Sequence, residues 1–435
     1  MLPAAPSLRS GSARAARADG RSSQTPQFKV TALNSNLLVS HRQRPYLEPS
    51  EFPQCAAAAL DVQRQAGITS KHRRWLARPS RASSHAIQWA QNKQEQAMNL
   101  APKRNMEYID IPGTSIRASR IALGTWAIGG WMWGGTDESD AIKTIQEALD
   151  QGINLIDTAP VYGFGRSEQI VGKALADGRR WNAVIATKVG LDWKNDKPFR
   201  NARKARIVEE VENSLRRLRT DVIDLYQVHW PDPRTPIAET AEAVDALHRD
   251  GKIRAVGVSN FSPAQMDEFR KVAPLHTAQP PYNLFERAIE QDVLPYCQQN
   301  KIALLAYGSL CRGLLSGSMS TSSRFAGDDL RKSDPKFRSP RFQQYLEAVG
   351  RLDQFARERF NRRVIHLAVR WVLDRGESNI ALWGARRAEQ LAPITDVLGW
   401  RIDAAAMAEV DRILRETVKD PVGPEFMAPP DREAA

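Results

Sequence analysis

An Asp, a Tyr, a Lys and a His stand at the trailing ends of three short apolar runs: Asn154-Leu-Ile-Asp157-Thr-Ala-Pro-Val-Tyr162-Gly, Ala183-Val-Ile-Ala-Thr-Lys188 and Gln227-Val-His229-Trp. These types suit acid–base chemistry, in which a proton moves to or from a reacting oxygen. A phenol near its ordinary pKa of ~10 is a reluctant acid at neutral pH. A nearby ammonium favours the phenolate and lowers that pKa. Taken singly, each residue has a plainer use: Asp157 as a turn cap, Lys188 on the surface, His229 as a satisfied core histidine, Tyr162 packed at a rim. Four at the ends of successive strands are better explained as one site.

The elements that would bring them together alternate from Ser119 onward. Strands are expected at 120–125, 154–159, 183–187, 222–228, 253–258, 277–279, 302–306 and 379–383. Between and after them fall helical stretches near 139–151, 166–177, 204–219, 236–250, 263–273, 290–300, 341–374 and 386–397, with Ser139 and Ser262 as N-caps. Such alternation predicts an α/β fold, a closed (β/α)8 TIM barrel, whose strand C-termini form the reactive face. Gly124-Thr-Trp-Ala-Ile-Gly-Gly after the first strand does not match GxGxxG, which argues against an open dinucleotide-binding sheet.

Charge divides the chain. Residues 1–104 hold 16 Lys and Arg against 5 Asp and Glu, leaving 46 against 45 for residues 105–435 out of 62 and 50 overall. The net +12 therefore gives the barrel no basic groove, and nucleic acid is not an expected partner. Residues 1–104 show no sustained periodicity and read as a largely disordered basic extension. It could be a tail, a transit peptide, or upstream sequence foreign to the natural protein; the sharp change of composition near Met106 favours the last. Residues 105–420 form the expected barrel domain, opened by a hairpin from Met106, and 421–435 a C-terminal tail. Three cysteines without CxxC spacing and seven scattered histidines suggest neither disulfides nor a metal. No apolar run is long enough to span a membrane, and a cytoplasmic protein is expected.

From about Met106 to Glu416 the chain resembles the aldo-keto reductase superfamily. The likeness rests on Asp157-Thr-Ala-Pro-Val-Tyr162-Gly, Thr187-Lys188, His229, Gly257-Val-Ser-Asn-Phe261, Gln279-Pro-Pro-Tyr-Asn283, Ala306-Tyr307-Gly-Ser-Leu and Gly384-Ala-Arg-Arg. Gly124-Thr-Trp-Ala-Ile-Gly-Gly-Trp-Met-Trp-Gly and Tyr162-Gly-Phe-Gly-Arg-Ser-Glu look closest to its bacterial general-stress and inositol-utilisation type. The resemblance implies Tyr162 as general acid in reduction and base in oxidation. Lys188 would tune it, Asp157 hold the lysine, and His229 orient and polarise the carbonyl.

It also implies NADP(H). Ser259, Asn260 and Gln279 would hold the nicotinamide carboxamide while Tyr307 stacks on its ring. Gly124, Thr125 and Trp126 would line the cofactor, and Gly308, Ser309, Leu310, Arg312 and Gly313 would wrap the pyrophosphate. Gly384, Ala385, Arg386 and Gln390 would hold the 2′-phosphate, for which Arg is the suitable partner; a solvated helix start is the plainer use of Arg386 and Arg387. The family usually carries an Asn near the adenine where this chain has Pro393 and Ile394; weaker adenine contacts would follow, with NAD as the poorer alternative cofactor.

Trp126, Trp131, Trp133, Trp193 and Trp230, with Phe164, suggest an aromatic pocket for apolar or ring-bearing carbonyls or alcohols. The segment 316–340 is expected to close over cofactor or substrate, and Cys311 is either an oxidation site or a packed small residue. Two functions fit these motifs: an NADP-dependent reductase of aldehydes or ketones, and a cofactor-binding regulatory subunit of a membrane protein, like the channel β-subunits of the superfamily.

Overall fold

The computed structural model describes residues 106–433, so the reading of residues 1–104 lies outside the described residues. A hairpin comes first, β1 (Tyr108–Asp110) and β2 (Arg117–Ser119). The barrel opens with β3 (Ile121–Gly124), β4 (Leu155–Asp157) and β5 (Val184–Val189). A second hairpin, β6 (Leu191–Lys194) and β7 (Lys197–Arg200), interrupts it. It continues through β8 (Ile223–Val228), β9 (Ile253–Ser259), β10 (Thr277–Gln279), β11 (Ala303–Ala306) and β12 (Asn379–Gly384). Its eight strands are parallel, pair in chain order and close when β12 meets β3.

Alternation along each strand sorts the core into two layers. Leu155, Val184, Ala186, Leu225, Ala255 and Leu305 pack together with Ile111, Ile116 and Ala118 of the first hairpin, which plugs the floor. Their neighbours Ile156, Ile185, Tyr226, Val256 and Leu304 belong to the larger cluster shared with the helices.

Among the described residues ten α-helices surround the strands: α1 (Trp126–Gly129), α2 (Glu138–Asp150), α3 (Arg166–Ala174), α4 (Lys204–Leu218), α5 (Ile237–Arg249), α6 (Pro263–Arg270), α7 (Val293–Gln299), α8 (Arg341–Phe360), α9 (Val364–Asp374) and α10 (Ala404–Thr417). Several details depart from the sequence reading. Asp137, not Ser139, caps α2 by accepting from the Asp140 amide, whereas Ser262 caps α6 as expected, in a reciprocal box with Gln265. The stretch 341–374 is two helices, because Asn361 at φ 53° ends α8 in the left-handed region. Residues 388–397 form 3₁₀ turns around Pro393, which cannot donate an α-helical bond.

Residues 421–433 run as a strap over the C-terminal face. Arg200 donates from its amide to Pro430 O and from Nε to Pro429 O, Lys336 Nζ donates to Gly423 O, and Arg432 pairs with Asp232.

Candidate active site

β4, β5 and β8 are neighbouring parallel strands, and their registers set Asp157 beside Ala186 and Lys188 beside Gln227. Lys188 is fully buried; its Nζ donates to both Asp157 oxygens at 2.8 Å, to Thr158 O at 2.9 Å and to the Tyr162 hydroxyl at 3.2 Å. Tyr162 arrives on the loop after β4. Gly163, at φ +67°, lets that loop press on Gly129, where an added Cβ would sit 2.2 Å from Gly129 O. The Tyr162 ring stacks on Trp126 at 5.9 Å and meets the His229 ring edge-on at 5.8 Å. The sequence-expected tetrad is thus one cluster.

Its electrostatics follow from burial. Desolvation lowers the Lys188 pKa, opposed by Asp157. His229 falls well below its ordinary value, first from burial and then from the Lys188 charge, so it rests as a neutral imidazole able to donate one N–H. The sequence reading has the ammonium lowering the Tyr162 pKa. Here burial, reinforced by the Asp157 charge, pushes it well up instead, and the resting form is the neutral phenol, which can donate a proton.

Two spaces meet at Tyr162. A cleft is lined by Gly124, Trp126, Tyr307, Gly308, Ser309, Leu310, Arg312, Gly313, Gly384, Ala385, Arg386 and Gln390. A cavity of about 520 Å³ is lined by Trp126, Trp131, Trp230, His229, Ser259, Asn260 and Gln279, with the strap residues Phe426, Met427, Pro429 and Pro430 as one wall. Tyr162, Trp126, Tyr307 and Met427 border both. Of the expected cofactor residues only Thr125 borders neither; it is buried, its hydroxyl donating to Asp157 O and sharing a bond with Ser167.

Several polar groups are already engaged. Gln279 Nε2 donates to Asp157 Oδ1 at 2.8 Å, Ser259 Oγ donates to Gln279 O, and the Tyr307 hydroxyl donates to Asn260 Oδ1. Arg312 borders the cleft, but its guanidinium is taken by Glu286 and Asp334, so it fixes the loop and offers no free charge. Cys311 is fully buried with its thiol pushed up to about 12, which matches a packed small residue and leaves no reactive thiolate at neutral pH. Of the other aromatics, Trp133 borders the cleft, while Phe164 stacks behind Trp131 and against Trp193.

Arg331, which the sequence reading did not single out, also borders the cleft. It comes from the segment 316–340, which crosses the face: Asp328 accepts from the Met132 and Gly134 amides, and the Leu330 amide donates to Met132 O. Burial and the neighbouring Arg331 and Arg387 together lower the Arg386 pKa. Asp329 opposes this shift and already holds Arg331 in a two-point ion pair, so Arg386 is the guanidinium of this group that an anion would relieve. The concentration of Arg and Asp in 316–340 was the available signal for Arg331.

Comparison with known proteins identifies the family. The model of the aldo/keto reductase family matches residues 120–415. The chain belongs to that family. It is an oxidoreductase of this class. It is 63% identical to the aldo-keto reductase YhdN of Bacillus subtilis over 75% of this chain and 99% of the relative. Identity to the NADH-specific methylglyoxal reductase of Escherichia coli is 35%, over 71% and 99%. Among solved structures, the glycerol dehydrogenase AKR11B4 from Gluconobacter oxydans superposes with a TM-score of 0.68 at 56% identity, covering 74% of this chain and 99% of that one. An aldo/keto reductase from Klebsiella pneumoniae, solved with NADP and acetate, gives 0.55 at 29%, covering 69% and 92%. Among the described residues no helix is long and apolar enough to cross a membrane, and no group of side chains could hold a metal ion.

Proposed function

We propose that this aldo/keto reductase reduces aldehydes and ketones with NADPH, Tyr162 giving the proton. The observation that carries the reading is the position of the Tyr162 hydroxyl: 3.2 Å from Lys188 Nζ, at the junction of cleft and cavity. The cleft fits the cofactor by chemistry, with loop backbone for a pyrophosphate, the Tyr307 ring for a flat nicotinamide, and Arg386 for a 2′-phosphate. Reduced nicotinamide, when bound, supplies the hydride.

The chain's own residues do the rest. A carbonyl oxygen beside Tyr162 accepts the phenolic proton as carbon takes the hydride, and the Lys188 ammonium steadies the phenolate left behind. Asp157 keeps that ammonium charged in a buried place. Neutral His229 presents an N–H to the same oxygen and fixes its orientation. The oxidation direction reverses each transfer.

The walls of the cavity, mainly Trp126, Trp131, Trp230, Phe426 and prolines, favour apolar or ring-bearing carbonyls. A glycerol dehydrogenase and a methylglyoxal reductase among the relatives make small polar carbonyls the natural comparison. The deciding experiment assays 4-nitrobenzaldehyde, methylglyoxal and glyceraldehyde with NADPH and with NADH. Efficient reduction of 4-nitrobenzaldehyde with NADPH is expected. No turnover of any of them would favour a cofactor-binding subunit; equal rates with NADH would remove the assignment of Arg386.

A further inference from the structure

We propose that Glu168 is a positioning residue for the acid–base pair, clamping the helix that follows Tyr162 to the strand that carries Lys188. This rests on the reading of Tyr162 and Lys188 above. Glu168 lies in the first turn of α3, and its buried carboxylate accepts from Thr187 Oγ1 at 2.6 Å and from Arg217 Nε at 2.6 Å. Thr187 is the residue before Lys188 on β5. Next to Glu168, Ser167 shares bonds with the hydroxyls of Thr125 at 2.7 Å and Thr158 at 2.9 Å. The pair Ser167-Glu168 thus joins the start of α3 to the ends of β3, β4 and β5. These are the last residues of the motif running from Tyr162, and the acid–base chemistry alone leaves them without a purpose.

The clamp continues outward as alternating charge. Arg217 on α4 also binds Glu210, which binds Arg206, whose guanidinium lies over the Trp193 ring at 5.4 Å. Gly172 allows this approach of α3 to α4, because a Cβ there would lie 2.5 Å from Arg217 O. The groups facing Glu168 are Thr187 and Lys188 from β5, Arg217 and Glu210 from α4, and Tyr226 from β8, with Asp157 beyond Lys188. The Tyr226 hydroxyl is buried without a hydrogen-bond partner among the described residues.

Position and charge can be separated. Glu168→Gln keeps an oxygen to accept from Thr187 but removes the negative charge, leaving Arg217 paired with Glu210 alone. The extra positive potential disfavours the Lys188 ammonium and favours the Tyr162 phenolate. Either change moves loss of the proton-bearing pair to lower pH. The descending limb of kcat/KM for aldehyde reduction is expected to shift down by about half a pH unit or more, with the Kd for NADPH unchanged. Thr187→Val keeps the charge and removes the clamp; kcat is expected to fall about ten-fold with the limb in place, and Thr187→Ser to restore it.

The Lys188 Nζ resonance, assigned by its loss in Lys188→Arg, reports the same shift without turnover. Failure of the carbonyl reaction and failure of the clamp are therefore read separately. A Glu168→Gln titration that coincides with wild type, whatever its Tm, or a Thr187→Val enzyme with wild-type kcat, overturns the proposal.

Discussion

Two buried charge clusters serve the C-terminal face of the barrel, and they are built for different ends. Asp157 and Lys188 project from strands and stop at a neutral phenol that borders both cleft and cavity. Glu286, Arg312, Asp334 and Lys336 come from loops and pair with one another, with Arg312 Nε 2.8 Å from Asp334 and Lys336 Nζ 2.8 Å from Glu286. Through Gly423 O, Lys336 also ties in the strap. The second cluster presents no exchangeable proton between the two spaces. Burial makes both sets of charges strong, but only the first has an acid placed where a substrate could meet it.

The sharpest way to break the comparison is to remove each cluster's distinctive member. Tyr162→Phe should lower kcat by about three orders of magnitude, by loss of a general acid, with Tm and NADPH binding unchanged. Residual turnover near wild type would move the acid elsewhere. Lys336→Met should do the opposite. Taking one partner from a buried pair costs about 3 kcal/mol, so Tm and urea midpoint should fall while kcat at saturating NADPH changes little. A stable Lys336→Met protein with impaired chemistry would mean that the two clusters are not separable in role.

Arg386→Ala acts between these extremes. Loss of a charge-assisted bond should raise the KM for NADPH by about one to two orders of magnitude and leave NADH kinetics nearly alone. Equal losses would make Arg386 structural, through the bonds its Nη1 donates to Trp133 O and Gly135 O.

The barrel strands were legible because each is a run of apolar residues buried on both faces, a pattern independent of long-range detail. The tetrad was legible because strand ends in a parallel barrel converge by topology. What escaped the reading depends on single residues or on distant contacts. The β6–β7 hairpin turns on Asn195 and Asp196 at φ 51° and 58°; polar turn residues between Trp193 and Phe199 were its only signal. Helix α10 escaped although Asp403 caps it and Ala406, Val410, Ile413 and Leu414 form its buried face. The strap has no periodicity, since its path is set by partners such as Arg200 and Asp232 far away in sequence. Arg312 looked like a phosphate ligand, and only the fold brings Glu286 and Asp334 to it.

Acid titration extends the comparison to pH. Burial opposes the Glu286 charge, yet Arg312 and Lys336 outweigh it and hold the carboxyl down at about 2. A depressed carboxylate contributes stability above its unfolded pKa, near 4.5. That contribution is lost as pH falls from there toward 2. The urea midpoint should drop through this window, and Glu286→Gln should flatten the drop. An unchanged slope in the variant would place the acid sensitivity in other carboxylates.

The smallest effect belongs to His229. Its folded pKa lies well below 6.5, held there by burial and by Lys188, so the imidazole stays neutral as pH falls through the range in which a free histidine titrates. The unfolded chain binds that proton first, and stability therefore declines modestly as pH drops below 6.5. Activity should not follow it. Aldehyde reduction at saturating NADPH is expected to be flat between about pH 6 and 8, because the donor N–H on His229 is already present and Tyr162 is still protonated. A limb near pH 6.5 in wild type that vanishes in His229→Gln would show that the histidine titrates in the working enzyme.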